Sequence, residues 1–133
     1  TVVPGVTSAV AVPAAAGIPV THRGVAASFT MVSAHSAAEA LEQARGAAAG
    51  STLVLLMGVG RLREVAEGLI AHGWPAATPV GIVERGWTPE QRSTFGTLAD
   101  IAQVAAVRGV GSPAVVVVGD VVEVGRRIGG SDA

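Results

Sequence analysis

The feature that most constrains this chain is the run from Pro113 to Val122, with Val115-Val116-Val117-Val118 at its centre. Side chains of a strand point alternately to opposite faces. Consecutive valines therefore need apolar cover on both faces, and the β-branched side chains favour extended backbone. The run predicts a central strand over 113–122. Two shorter apolar runs, 53–57 and 79–84, have the same character and predict further buried strands. Residues 27–34 predict another, and 91–96 a further short one.

Helical patterns separate these runs. Leu62, Val65, Ala66, Leu69 and Ile70 repeat at i, i+3, i+4, i+7 and i+8, the stripe of an amphipathic helix, with Gly73 to close it. Ser36-Ala37-Ala38-Glu39 reads as a capping box for a helix reaching about Ala48, and Thr97-Leu98-Ala99-Asp100 as one for a helix ending near Gly109. Thr7 or Ser8 can cap a first helix that contains Pro13 and stops at Gly17-Ile18-Pro19. Thr88-Pro89-Glu90-Gln91 predicts a short helical turn. Strands alternating with helices define an α/β class: a three-layer α/β/α arrangement around a mixed, roughly five-stranded sheet. Without an internal repeat or linker, 133 residues suit one domain. We expect 9–128 to form it, with 1–8 as the end of a preceding domain and 129–133 as a disordered tail.

Residue types exclude several chemistries. The chain has no Cys, hence no disulfide, thiolate metal site or Cys nucleophile. All basic residues are Arg, which removes the phosphate-binding Lys of a P-loop and any Schiff base. Aromatic residues make up 3% of the chain and its formal net charge is −1, a poor composition for stacking on or neutralising a nucleic acid. No uncharged apolar run reaches the roughly 18 residues of a membrane helix. His22, His35 and His72 lack metal-ligand spacing.

The candidate site lies at strand ends. In open α/β sheets, ligands gather beyond the carboxyl ends of strands. Met57-Gly58 and Glu84-Arg85-Gly86 occupy such positions, and their backbone groups and glycines suit an extended or planar organic ligand. Gly58-Val59-Gly60 has the place of a dinucleotide loop, but Arg63 stands where the third glycine belongs. A tight strand-to-helix turn accounts for it better.

Several segments together resemble the uroporphyrinogen-III C-methyltransferase family of the tetrapyrrole methylases. They are Pro4-Gly5-Val6-Thr7-Ser8-Ala9, Gly17-Ile18-Pro19-Val20-Thr21-His22-Arg23, Thr52-Leu53-Val54-Leu55-Leu56-Met57-Gly58, Leu69-Ile70-Ala71-His72-Gly73 and Pro79-Val80-Gly81-Ile82-Val83-Glu84-Arg85-Gly86. Gln91-Arg92, Gly96-Thr97-Leu98-Ala99-Asp100-Ile101 and Ser112-Pro113-Ala114-Val115-Val116-Val117-Val118-Gly119 continue the pattern. The resemblance is collinear over nearly the whole chain. Leu56 departs from it where relatives often have Tyr, and Ala34 where Gly is common.

The resemblance implies a part in methyl transfer from S-adenosyl-L-methionine to uroporphyrinogen III, giving precorrin-2 for siroheme and cobalamin synthesis, with S-adenosyl-L-homocysteine as product. It implies a two-domain, homodimeric enzyme that uses no metal, of which this chain is the second domain, inactive alone without its N-terminal half; the lack of Cys and of a visible targeting signal leads us to expect a cytoplasmic enzyme. Thr7, Ser8, Met57, Gly86 and Thr97 match cofactor-binding positions. At Gly86 the missing side chain would admit adenine. Thr97 has a competing role as a helix cap. His22 and Arg23 match a hallmark segment that could face substrate carboxylates or serve the fold. No catalytic residue is assigned. Another precorrin methyltransferase domain, or a non-catalytic dimerisation domain with exposed apolar patches, are the competing readings.

Overall fold

The computed structural model describes residues 1–128. The tail, 129–133, lies outside the described residues. Five strands, β1 (Phe29–Ser33), β2 (Thr52–Leu56), β3 (Pro79–Glu84), β4 (Arg92–Thr97) and β5 (Ala114–Val118), form one sheet in the order β1-β2-β5-β3-β4. β1 and β2 are parallel; β5 is antiparallel to both β2 and β3, and β4 to β3. β1, β2 and β3 therefore run the same way, and their carboxyl ends share one edge with the starts of β4 and β5.

Valine alternation in β5 explains its central place. Val116 and Val118 enter a core with Leu53, Leu55, Val80 and Ile82, covered by α2 (Ala37–Ala44), α3 (Leu62–Ala71) and α4 (Ile101–Arg108). Val115 and Val117 enter a second core with Val54, Val83 and Phe95, covered by α1 (Ser8–Ala15) and α5 (Val121–Ile128). This is the α/β/α arrangement with a mixed five-stranded sheet that the sequence predicts. Each fully buried Val or Leu contributes about 1.5–3 kcal/mol of apolar transfer.

Local differences have physical causes. The run over 113–122 is divided: β5 stops at Val118, Gly119 turns the chain at φ 143°, and Val121 begins α5. Val121 and Val122 are buried on the α1 side and Val124 is buried too, so packing overrides their strand preference. The predicted cap at Thr97 is also displaced. Thr97 ends β4, its N–H donates to Asp100 Oδ1 at 2.7 Å, and α4 begins after Asp100. At α2, Ser36 Oγ accepts from Glu39 N at 3.2 Å as predicted, but the helix ends at Ala44 rather than Ala48. The 88–91 segment is a turn closed by Thr88 Oγ1, which donates to the Arg85 carbonyl and accepts from Glu90 N.

Candidate functional site

The shared edge holds a cavity of about 770 Å³, within the size range of small-molecule sites. Four segments wall it. The exit of β2 contributes Leu56 and Met57, and the β3–β4 loop contributes Arg85 and Gly86. The start of α1 contributes Ser8 and Val12, and the start of β5 contributes Ser112, Pro113 and Ala114. The lining is predominantly apolar, with the Ser8, Thr88 and Ser112 hydroxyls, Arg85 and Glu90 as its polar side chains. The Ser112–Pro113 peptide is cis.

Three non-glycine residues in this region have left-handed backbone: Met57 at φ 58°, Arg85 at 48° and Trp87 at 65°. Such conformations cost roughly 1–3 kcal/mol each and persist where surrounding structure imposes them. At Met57 the turn points the chain off β2 and leaves the side chain half exposed beside the cavity. At 85–87 the loop folds back onto α1. Trp87 Nε1 donates to the Ala11 carbonyl at 2.6 Å, and Gln91 Nε2 to the Ala15 carbonyl at 3.1 Å. Gln91 Oε1 accepts from Trp87 N at 2.7 Å, so the two side chains act as one clasp between loop and helix.

Gly86 has a structural reason to be glycine. A Cβ there would meet Val12 Cγ1 at 2.8 Å and Val12 Cβ at 3.2 Å, so the space a side chain would take belongs to α1. The requirement is the close approach of loop and helix, in addition to any ligand the cavity admits.

Beneath the cavity, on the α4 side of the sheet, Glu84 is buried with 5% relative exposure. Its Oε2 accepts from Arg92 Nε at 2.7 Å, and its Oε1 from Arg92 Nη2 at 3.2 Å and Gly111 N at 3.1 Å. Burial alone would push this carboxyl up. The Arg92 hydrogen bonds, the Gly111 amide and the charges of Arg92 and Arg85 more than offset that, and hold it below its ordinary value of 4.5.

The sequence-predicted residues divide between the two sheet edges. Ser8, Met57 and Gly86 line the one cavity. Thr7 stands next to it as the N-cap of α1, its Oγ1 accepting from Ala9 N at 3.2 Å. Thr97 lies at the far end of β4, opposite Pro79. That is a strand length away, roughly 17–20 Å for strands of this size. Its capping geometry gives it a local role. His22 and Arg23 also lie at the far edge, in a separate, more open cavity of similar volume with Ala48, Gly50 and Ser51. They belong to a tight loop in which His22 N donates to the Ala26 carbonyl at 2.9 Å, and His22 Nδ1 sits 3.1 Å from the Arg23 carbonyl. Arg85, read from the sequence as part of the Glu84-Arg85-Gly86 strand exit, lines the cavity as well, whereas Val12 and the 112–114 segment were not read as site residues. Only the quoted Ser-Pro-Ala segment before the valines carried a signal for any of them. Gly58 opens an ordinary turn, as a Cβ there would meet Leu55 Cβ at 3.0 Å. Among the described residues no cluster of three or more His, Asp or Glu is placed to hold a metal, and no helix is long and apolar enough to cross a membrane.

An α/β/α domain with a cavity where antiparallel β5 sits between the exits of β2 and β3 defines a class of small-molecule-binding folds. The family model for tetrapyrrole (corrin/porphyrin) methylases matches residues 1–102, and the chain belongs to that family. It is 48% identical over 132 residues to the S-adenosyl-L-methionine-dependent uroporphyrinogen III methyltransferase of Methanosarcina barkeri, covering 96% of this chain and 52% of that protein. To siroheme synthase 2 of Aeromonas hydrophila it is 42% identical, over 96% of this chain and 27% of that one. Among solved structures, uroporphyrin-III C-methyl transferase from Thermus thermophilus complexed with S-adenyl homocysteine superposes with a TM-score of 0.76 at 39% identity, over 92% of this chain and 53% of that chain. A cobalt precorrin-4 methyltransferase at 23% identity shares the fold with a TM-score of 0.77, over 90% of this chain and 51% of that chain. The chain spans about half the length of the two archaeal uroporphyrinogen III methyltransferases it matches and about a quarter of that of Bacillus subtilis.

Proposed function

We propose that this chain is the second domain of an S-adenosyl-L-methionine-dependent uroporphyrinogen-III C-methyltransferase, and that the cavity at the β2 and β3 exits is its share of the cofactor site. The observation that carries this reading is the convergence of Ser8, Met57 and Gly86 on one predominantly apolar cavity of about 770 Å³. That lining suits a purine ring and a thioether chain, and the few polar groups suit the ribose and amino-acid ends.

When bound, the cofactor supplies an electrophilic methyl on a sulfonium. The chain's residues then hold and orient: Met57 and Leu56 form one apolar wall, Ala114 and Pro113 another, and the clasped 85–91 loop a third. Fixing the donor relative to a ring carbon is a proximity effect and asks for no nucleophile or general base here. Thr7 supports this by setting the start of α1, hence Ser8. The product would be S-adenosyl-L-homocysteine, and the tetrapyrrole product precorrin-2, en route to siroheme or cobalamin. His22, Arg23 and Thr97 take no part in this cavity.

The curated relatives carry at least about as much chain again, the matched share of their length running from 52% down to 26%, and we place the rest of the site in a preceding domain. The assembly we propose is a homodimeric cytoplasmic enzyme. The exposed Phe29 and Met31 on outer strand β1 support pairing through an apolar face, with relative exposures of 39% and 52%.

The test is an NMR titration of this chain with S-adenosyl-L-homocysteine. Expected are shifts at Ser8, Met57, Gly86 and Ala114, with weak affinity, and no methylation of uroporphyrinogen III by the chain alone. Shifts confined to His22, Arg23 and Ser51, or none at millimolar ligand, would overturn the cavity assignment. Robust turnover would overturn the half-site.

A further inference from the structure

Glu84 is the buried ionised group that the proposed function leaves unused. It points away from the cavity. β3 alternates, so Val83 faces the cavity and α1 while Val80, Ile82 and Glu84 face the α4 side. Its carboxylate nevertheless joins three segments that bound the cavity. Its own backbone leads into Arg85 and Gly86, Arg92 opens β4 at the far end of the clasped loop, and Gly111 precedes Ser112, Pro113 and Ala114. The ladder already ties Arg85 N to the Pro113 carbonyl at 3.0 Å. The Gly111 bond extends that tie along the loop before β5, past the last residue the ladder holds. A Cβ built on Gly111 would meet nothing within 4 Å, so side-chain packing does not fix this position.

We infer that Glu84 is a positioning residue: its Oε1, by holding Gly111 N, sets where the 112–114 wall stands relative to Met57 and Gly86, and so sets ligand affinity without touching ligand. The affinity half of this inference rests on the cofactor reading. The wall-positioning half does not.

Two substitutions separate the loop tie from the ion pair. Glu84→Gln keeps an acceptor for Gly111 N but sets its NH2 against the Arg92 guanidinium. Glu84→Met removes both. Each variant is read by thermal melting, by exchange of the Gly111 amide and the resonances of Met57 and Ala114, and by affinity for S-adenosyl-L-homocysteine. Both should melt lower. Only Glu84→Met should lose Gly111 protection by tenfold or more, shift Met57 and Ala114, and weaken binding about tenfold, while Glu84→Gln stays within threefold of the parent. A role in stability alone would make affinity follow melting temperature across the two variants, and that result overturns the inference. So does a folded Glu84→Met with unchanged Gly111 exchange. If Glu84→Met does not fold, Gly111→Pro deletes the same donor and must shift Met57 and Ala114 and weaken binding about tenfold. If the unsubstituted chain binds no ligand, the cofactor reading has failed, and Gly111 exchange with the Ala114 resonance still decides the positioning.

Discussion

Gly86 shows how one residue ties sequence to site. Replacing it with Ala drives a methyl to 2.8 Å from Val12, a stiff β-branched side chain whose own Cβ is at 3.2 Å. Overpacking of this kind costs about 1–3 kcal/mol. Gly86→Ala should therefore lower the urea midpoint and, by pushing α1 off the loop, weaken ligand binding; Val12→Ala in the same chain should restore both. Glu84 gives a pH signature. Its folded-state value lies below 4.5, so it adds stability at pH above 4.5 that disappears as pH falls through the lowered value. Denaturation against pH should show Glu84→Gln less stable by roughly 1–3 kcal/mol near neutrality, with the gap closing under acid. A gap that stays constant to pH 2 would contradict this. The groups facing its carboxylate are the Arg92 and Arg85 charges and the Gly111 amide.

At the scale of elements, α5 is the clearest case of context overriding preference. Gly125 lies inside it, where Ala is ordinarily better by roughly 0.5–1 kcal/mol. Here a Cβ would come within 2.5 Å of Ile18 Cγ1 and 3.3 Å of the Ala16 carbonyl. Gly125→Ala should thus destabilise the domain, reversing the usual sign, as a denaturant titration would show. The α1 clasp makes a parallel prediction. Gln91→Ala removes both its acceptor for Trp87 N and its donor to the Ala15 carbonyl. At about 0.5–1.5 kcal/mol for each hydrogen bond, the loss should appear in the melting temperature and in quicker amide exchange at Trp87. Most elements were legible beforehand, because strict periodicity in α3 and unbroken apolar runs in β2 and β3 leave few alternatives. The α5 helix was not, because its valines continue those of β5 without a polar break. Gly119-Asp120 was the sole mark of the boundary.

For the whole molecule, the sheet order decides which predicted residues meet. β5 inserted between β2 and β3 keeps both exits at one edge and brings the 112–114 segment between them. The strand-end argument and the family resemblance therefore agreed on Met57 and Gly86 for a common reason, since both lie where parallel strands leave a sheet. The same topology separates them from Thr97, His22 and Arg23, which the chain order alone could not sort. Amino-acid sequence by itself determined the layers, through apolar alternation that must be covered on both faces, and it determined the turns, through Gly, Pro and capping residues acting over a few positions. Tertiary structure alone decided that Gly86 yields its space to Val12, that Glu84 reaches Gly111, and that Trp87 hooks onto α1. These contacts join residues 27 to 76 positions apart, and no local pattern encodes a distance across the sheet.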